Sequence, residues 1–184
     1  MDHEMMPPRP LMVNPSATVE TTTTTRKTTG LTQELLAGMQ SAVGAAYVMG
    51  LTAMIVVWIQ NWSPWAPFND VAGALVPSLA AAGTAFSFPA VILGTLIHFS
   101  VSVVLGLLFA MLYGRVIQPH FNDGVPVLAG FMFGILTWLV AHFTVVPFLG
   151  SEIYGTLPFL LVHLVFGATL GLLYPIMPGL KHKG

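Results

Sequence analysis

The sequence predicts an all-α integral membrane protein with four transmembrane helices. Three observations carry that expectation. Only 7% of the 184 residues are charged, where a soluble domain carries about 25%, and the mean hydropathy is +0.80. Four stretches free of Asp, Glu, Lys and Arg, at 35–59, 91–113, 125–149 and 157–177, reach the roughly 20 residues that a helix needs to cross a ~30 Å hydrocarbon core. With four spans, the basic residues Arg9, Arg26, Lys27, Arg115, Lys181 and Lys183 all fall on one side of the membrane, which the positive-inside rule makes the cytoplasm. The sequence therefore places both termini in the cytoplasm. A net charge of -1 leaves no basic footprint for nucleic acid. Without Cys there is no disulfide framework, thiolate metal site or thiol nucleophile.

Along the chain, residues 1–30 form a Thr/Pro-rich tail with the run Thr21–Thr25 and little to bury. Such a segment is expected to be flexible unless a partner subunit orders it. Residues 31–184 form the transmembrane domain. The loop at 61–90 opens with Trp62 and Trp65, which suit anchoring at a membrane–water interface. It continues as an apolar but short segment, 71–88, interrupted by Pro77, which reads as interfacial or re-entrant and not as a fifth span. Arg115 marks the loop between spans two and three. Glu152 marks the loop between spans three and four.

An internal repeat organises the spans. Span two holds Leu96-Ile97-His98 and then Leu105-Gly106-Leu107-Leu108; span four holds Leu161-Val162-His163 and then Leu170-Gly171-Leu172-Leu173, at the same His-to-Gly separation. Leu36-Ala37-Gly38-Met39 in span one matches Leu128-Ala129-Gly130-Phe131 in span three. The pattern predicts two duplicated helical hairpins in the same orientation. Small residues four apart, including Gly106, Gly130, Gly134, Gly167 and Gly171, share helix faces. In lipid, where no hydrophobic drive brings helices together, such faces allow close backbone approach. A tight four-helix bundle is the expectation.

His98, His142 and His163 are the groups inside the four stretches that titrate near neutrality, at matching depth on the expected topology. Polar groups at such depth are costly and invite a functional reading. Hydrogen bonding between helices is the simplest one. Two of the three could instead ligate haem b or a chlorophyll-type pigment, with glycines making room for the macrocycle. A metal site of all three with Glu152, or a proton relay, are further alternatives. Most of the ten Met read as gap fillers, and Met49 and Met54 in span one could instead serve as soft ligands. No acid/base carboxylate pair lies in the spans, and no GxxxxGK[ST], HExxH or GxSxG is present, so no catalytic activity of the chain's own is expected.

The runs Leu96-Ile97-His98-Phe99-Ser100-Val101-Ser102, Leu128-Ala129-Gly130, Ala141-His142-Phe143, Pro147-Phe148-Leu149-Gly150 and Leu161-Val162-His163 resemble the YagU-like inner-membrane proteins over about residues 92–173. The resemblance implies a four-span architecture and no particular activity. The Thr-rich tail and Trp-rich loop depart from it. The functional expectation is a non-catalytic accessory subunit of a larger respiratory or photosynthetic electron-transfer complex, in contact with lipid and other membrane subunits. The alternatives are a haem- or pigment-binding electron-transfer subunit and a small transporter or acid-response protein.

Overall fold

A computed structural model describes residues 30–60, 62–80, 85–118, 125–149 and 156–178, all helical or connecting, with no strand among them. The tail at 1–29, Glu152 and the C-terminal lysines lie outside the described residues. The long helices are α1 (Leu31–Ile59), α4 (Phe88–Leu112), α5 (Pro126–Val140) and α7 (Thr156–Leu173). Between them lie the short helices α2 (Ala66–Leu75), α3 (Pro77–Ala80) and α6 (Val146–Leu149). π-turns at Tyr113–Ile117 and Ala141–Val145 extend α4 and α5, and a 3-10 turn at Tyr174–Ile176 ends α7. Four helical segments, Leu31–Ile59, Phe88–Ile117, Pro126–Val145 and Leu157–Ile176, are long and apolar enough to cross a membrane. The chain is accordingly a multi-pass membrane protein.

Each boundary has a local cause. Pro89 and Pro126 sit in the first turns of α4 and α5, where a missing N–H costs nothing. Pro77 separates α2 from α3, the interruption expected of the 71–88 segment, although the helix before it starts earlier, at Ala66. Asn69, fully buried in α2, donates from Nδ2 to Ala85 O at 2.8 Å and ties α2 to the approach of α4.

Two helices run beyond the uncharged stretches. α1 begins at Leu31 and so includes Glu34, and the π-turn after α4 includes Arg115. Their side chains meet, Arg115 Nε donating to Glu34 Oε2 at 3.1 Å. A paired charge can extend a helix into a region where a lone one would stop it. Glu34 also occupies the first turn of α1, where the helix dipole favours an anion.

α1 turns its small residues inward and most of its large apolar ones outward. On α1, Ala37, Ser41, Ala42, Ala45 and Ala46 are buried, while Leu36, Val43, Leu51 and Ile55 are exposed. That distribution suits helices packed in lipid, where association depends on close fit. α1 packs against α4 and α7, and α7 packs against α5, giving the lateral order α4–α1–α7–α5 with neighbours antiparallel. An aromatic cluster joins the two outer members. Phe109 of α4 lies 5.4 Å from Phe133 of α5, 5.6 Å from Tyr174 and 5.7 Å from Tyr113. This cluster sits towards the Glu34–Arg115 end of the bundle. At the other end α2 packs on α4, close enough that a Cβ on Gly94 would collide with the Phe68 carbonyl.

Candidate functional site

Beyond the aromatic cluster, towards the α2 end, a cavity of about 260 Å³ lies between α1, α2, α4, α7 and the π-turn that follows α5. α1 contributes Met49, Gly50 and Ala53; α2 contributes Phe68 and Val71. Phe159 and Phe166 of α7 and Leu105 of α4 complete an almost wholly apolar wall. The polar exceptions are His98, Ser102 and His163. The volume falls just below the ~300–1,000 Å³ of pockets that take drug-sized ligands.

The two histidines reach this wall by different routes. His98, on α4, crosses to α1, where its Nε2 lies 3.0 Å from Ala46 O. His163 stays on its own helix, with Nδ1 2.8 Å from Phe159 O, and its ring packs edge-on against Phe159 at 4.4 Å between centroids. Both rings are thus held by a backbone carbonyl through one nitrogen, which fixes their orientation and leaves the second nitrogen for other partners.

His142 does not line the cavity. It lies in the π-turn, stacked on Trp138 at 5.4 Å with an interplanar angle of 21° and flanked by Phe143 and, at 6.5 Å, Phe159. Its Nδ1 and the Trp138 Nε1 are buried with no hydrogen-bond partner among the described residues. The same π-turn does reach the cavity through Ala141 and Val145. No group of three His, Asp or Glu that could hold a metal ion occurs among the described residues, and Glu152 lies outside them.

The cavity has a side opening. Val101 on α4 and Val145 after α5 both belong to its wall, yet they are 53% and 47% exposed. They therefore stand at its mouth, in the seam where α4 and α5 do not pack closely. A second, shallower apolar groove occupies the same seam nearer the Arg115 end, lined by Leu112, Ile117, Leu128 and Met132. Phe109 and Phe133 close the seam between the two.

The glycines singled out by spacing all stand at close approaches. A Cβ on Gly134 would come within 2.5 Å of His163 O, and one on Gly106 would collide with the Ala42 side chain. Gly130 and Gly167 each stand against the other's carbonyl, and Gly171 stands against Pro126 O. Trp62 packs on Val57 and Ala66, and Trp65 packs edge-on to Phe86 at 5.0 Å, so both rings support the α1–α2 connection.

Sequence reasoning overlooked a second polar cluster at the opposite end. Glu34, Arg115 and Tyr174 converge on Gly114, where an added Cβ would lie 3.3 Å from the Glu34 carboxylate and 3.5 Å from the Tyr174 hydroxyl. The only advance signal was a carboxylate one residue outside an uncharged stretch. No family model, curated protein or solved structure matches the chain.

Proposed function

We propose that this chain is a non-catalytic subunit of a larger membrane assembly, and that its own contribution is a ligand site within the bilayer. The observation that carries the reading is the convergence of His98 and His163, from two different helices, on one otherwise apolar cavity. Polar groups that deep are costly unless they are used, and a few convergent polar groups in an apolar hollow are what a binding site needs. Respiratory or photosynthetic electron transfer is the setting this reading favours. Both termini would lie in the cytoplasm of a bacterial cell, with α2 and the cavity towards the outer face of the inner membrane. Kinship with the YagU-like proteins, which the short His, Gly and Pro motifs suggest, fits that placement.

Duplication of a helical hairpin accounts for the cavity's composition. The register that pairs Gly38 with Gly130 and His98 with His163 also pairs Met49 with Ala141, Ala53 with Val145, Ile97 with Val162 and Val101 with Phe166. All of these last eight residues line the cavity. A site built from equivalent positions of two repeats lies where an axis between them would run.

Haem ligation is a second reading, favoured by one observation: each of the two rings keeps a nitrogen that its carbonyl contact does not use. The volume argues against it, because a macrocycle is at least drug-sized and the cavity is smaller than such pockets. The residues that would hold haem are His98 and His163; His142 faces elsewhere.

The test is native electrophoresis of gently solubilised protein, with mass spectrometry of every co-migrating polypeptide and an absorption spectrum of the band. Stoichiometric partners support the subunit reading. A lone band at monomer or dimer mass sinks it. A Soret band lost in His98→Leu selects haem.

A further inference from the structure

The hydrogen-bond polarity of the two histidines restricts what the cavity can hold. A backbone carbonyl oxygen only accepts, so His98 Nε2, 3.0 Å from Ala46 O, and His163 Nδ1, 2.8 Å from Phe159 O, carry the protons of their rings. A neutral imidazole has one N–H. The remaining nitrogens, His98 Nδ1 and His163 Nε2, are therefore acceptors, and a molecule that satisfies them must bring donors. In an apolar site an acceptor left without a donor costs free energy.

Shape and access restrict it further. Phe68, Phe159 and Phe166 on the cavity wall give it an aromatic lining that suits a flat ring. About 260 Å³ holds such a ring but not a long chain attached to it. The mouth between Val101 and Val145 opens sideways, within the apolar length of α4 and the segment after α5, so the approach is from lipid. α2, through Phe68 and Val71, covers the cavity at the end of the bundle.

We propose that the cavity takes a lipid-soluble hydroquinone from the bilayer, its hydroxyls donating to His98 Nδ1 and His163 Nε2 and its chain leaving between Val101 and Val145. This narrows the ligand-site reading and rests on it. The corresponding oxidised quinone offers only carbonyl acceptors to two acceptor nitrogens and is disfavoured in the same cavity. Preference for the reduced form is thus built into which ring nitrogen each carbonyl has claimed.

The experiment uses the full chain in phosphatidylcholine nanodiscs under argon. It is titrated with a tritiated decyl-trimethylhydroquinone, read by scintillation proximity, and in parallel with the same molecule oxidised to the quinone. Saturable binding of the hydroquinone is expected, with the quinone weaker by about twenty-fivefold, the equivalent of two lost hydrogen bonds. His98→Leu and His163→Leu should each weaken the hydroquinone by about fivefold, the equivalent of one. Val101→Trp leaves both histidines and the core untouched, and should block saturable binding by filling the mouth. Equal or tighter binding of the quinone, or saturable binding unaffected by Val101→Trp, overturns the proposal. A parallel haemin titration separates the class of ligand from the cavity's capacity to bind one. Haemin bound through His98 and His163 with no hydroquinone binding overturns the ligand class alone, whereas binding of neither overturns the cavity as a ligand site as well.

Discussion

The two antiparallel helix pairs, α1 with α4 and α5 with α7, meet the same demand by different means. Within α5/α7 the approach is backbone to backbone: Gly130 and Gly134 stand against the Gly167 and His163 carbonyls, and Gly171 stands against that of Pro126. The polar side chains on its facing surfaces bond within their own helices, Thr137 to Gly134 O and His163 to Phe159 O. In α1/α4 the corresponding contact is thickened by side chains. Gly38 meets the Ala110 methyl as well as Gly106 O, and Gly106 meets the Ala42 methyl. This pair is instead linked by polar contacts that cross between helices, His98 to Ala46 O and Arg115 to Glu34. The contrast shows two routes to helix association where burial of apolar surface gives no drive. Close packing of glycine-thinned backbones is one, and specific hydrogen bonds are the other.

The glycine route is the one most easily broken. A methyl added at Gly130 would be driven into the Gly167 carbonyl, and neither backbone can yield without moving its helix. Gly130→Ala should cost about 1–3 kcal/mol, the usual range for overpacking a filled interface. Gly50→Ala is the control, because its added methyl would meet nothing closer than 3.9 Å, and inside α1 it should stabilise by up to about 1 kcal/mol through helix propensity and not destabilise. Reversible unfolding in mixed micelles, scored by helicity against denaturing detergent, measures both. Equal losses at the two positions would remove the distinction between a packed and an open glycine.

The polar route predicts a smaller loss at Arg115. Its guanidinium faces a Glu34 carboxylate that is 8% exposed, but Arg115 itself is 55% exposed, so solvent screens much of the attraction. Arg115→Met should cost on the order of 1 kcal/mol. Glu34→Gln combined with Arg115→Met should cost less than the sum of the two single changes, since each removes the same contact. Strict additivity in this double-mutant cycle would mean that the ion pair does not link α1 to α4.

How much of this was legible beforehand depends on how local the cause is. The four helices, the break at Pro77 and the close-packing positions Gly106, Gly130, Gly134, Gly167 and Gly171 follow from composition and four-residue spacing, which act within a single helix. Glu34 was placed outside span one because a charge ordinarily ends an apolar run. The helix nevertheless runs to Leu31, with that charge paired to Arg115, 81 residues away in sequence. The histidines show the same limit. Spacing puts His98, His142 and His163 at matching depth, but depth says nothing of azimuth around the bundle. The lateral order α4–α1–α7–α5 and the π-turn after Val140 turn two rings to one cavity and the third onto Trp138. Asn69 was equally hidden, because its partner Ala85 lies beyond a helix break.

The smallest predicted effect tests the contrast most directly, because it compares one residue type in two pairs. His98 donates across to α1, and an interhelical hydrogen bond in a membrane contributes about 0.6 kcal/mol on average and about 1.7 at most. His98→Leu should therefore lower the stability of the bundle by an amount in that range. His163→Leu removes only a bond to Phe159 O within α7, and that oxygen faces the same helix in the folded protein and in a separated helix. The interhelical contribution should be absent there, leaving only changes in ring packing against Phe159. The two variants differ in what they remove from helix association but are matched in side-chain size. Unfolding measured side by side, with no added ligand, should place His98→Leu below His163→Leu. If the order is reversed, the contact between His98 and Ala46 is not what holds α4 to α1, and the first pair must depend, like the second, on the fit of its small residues.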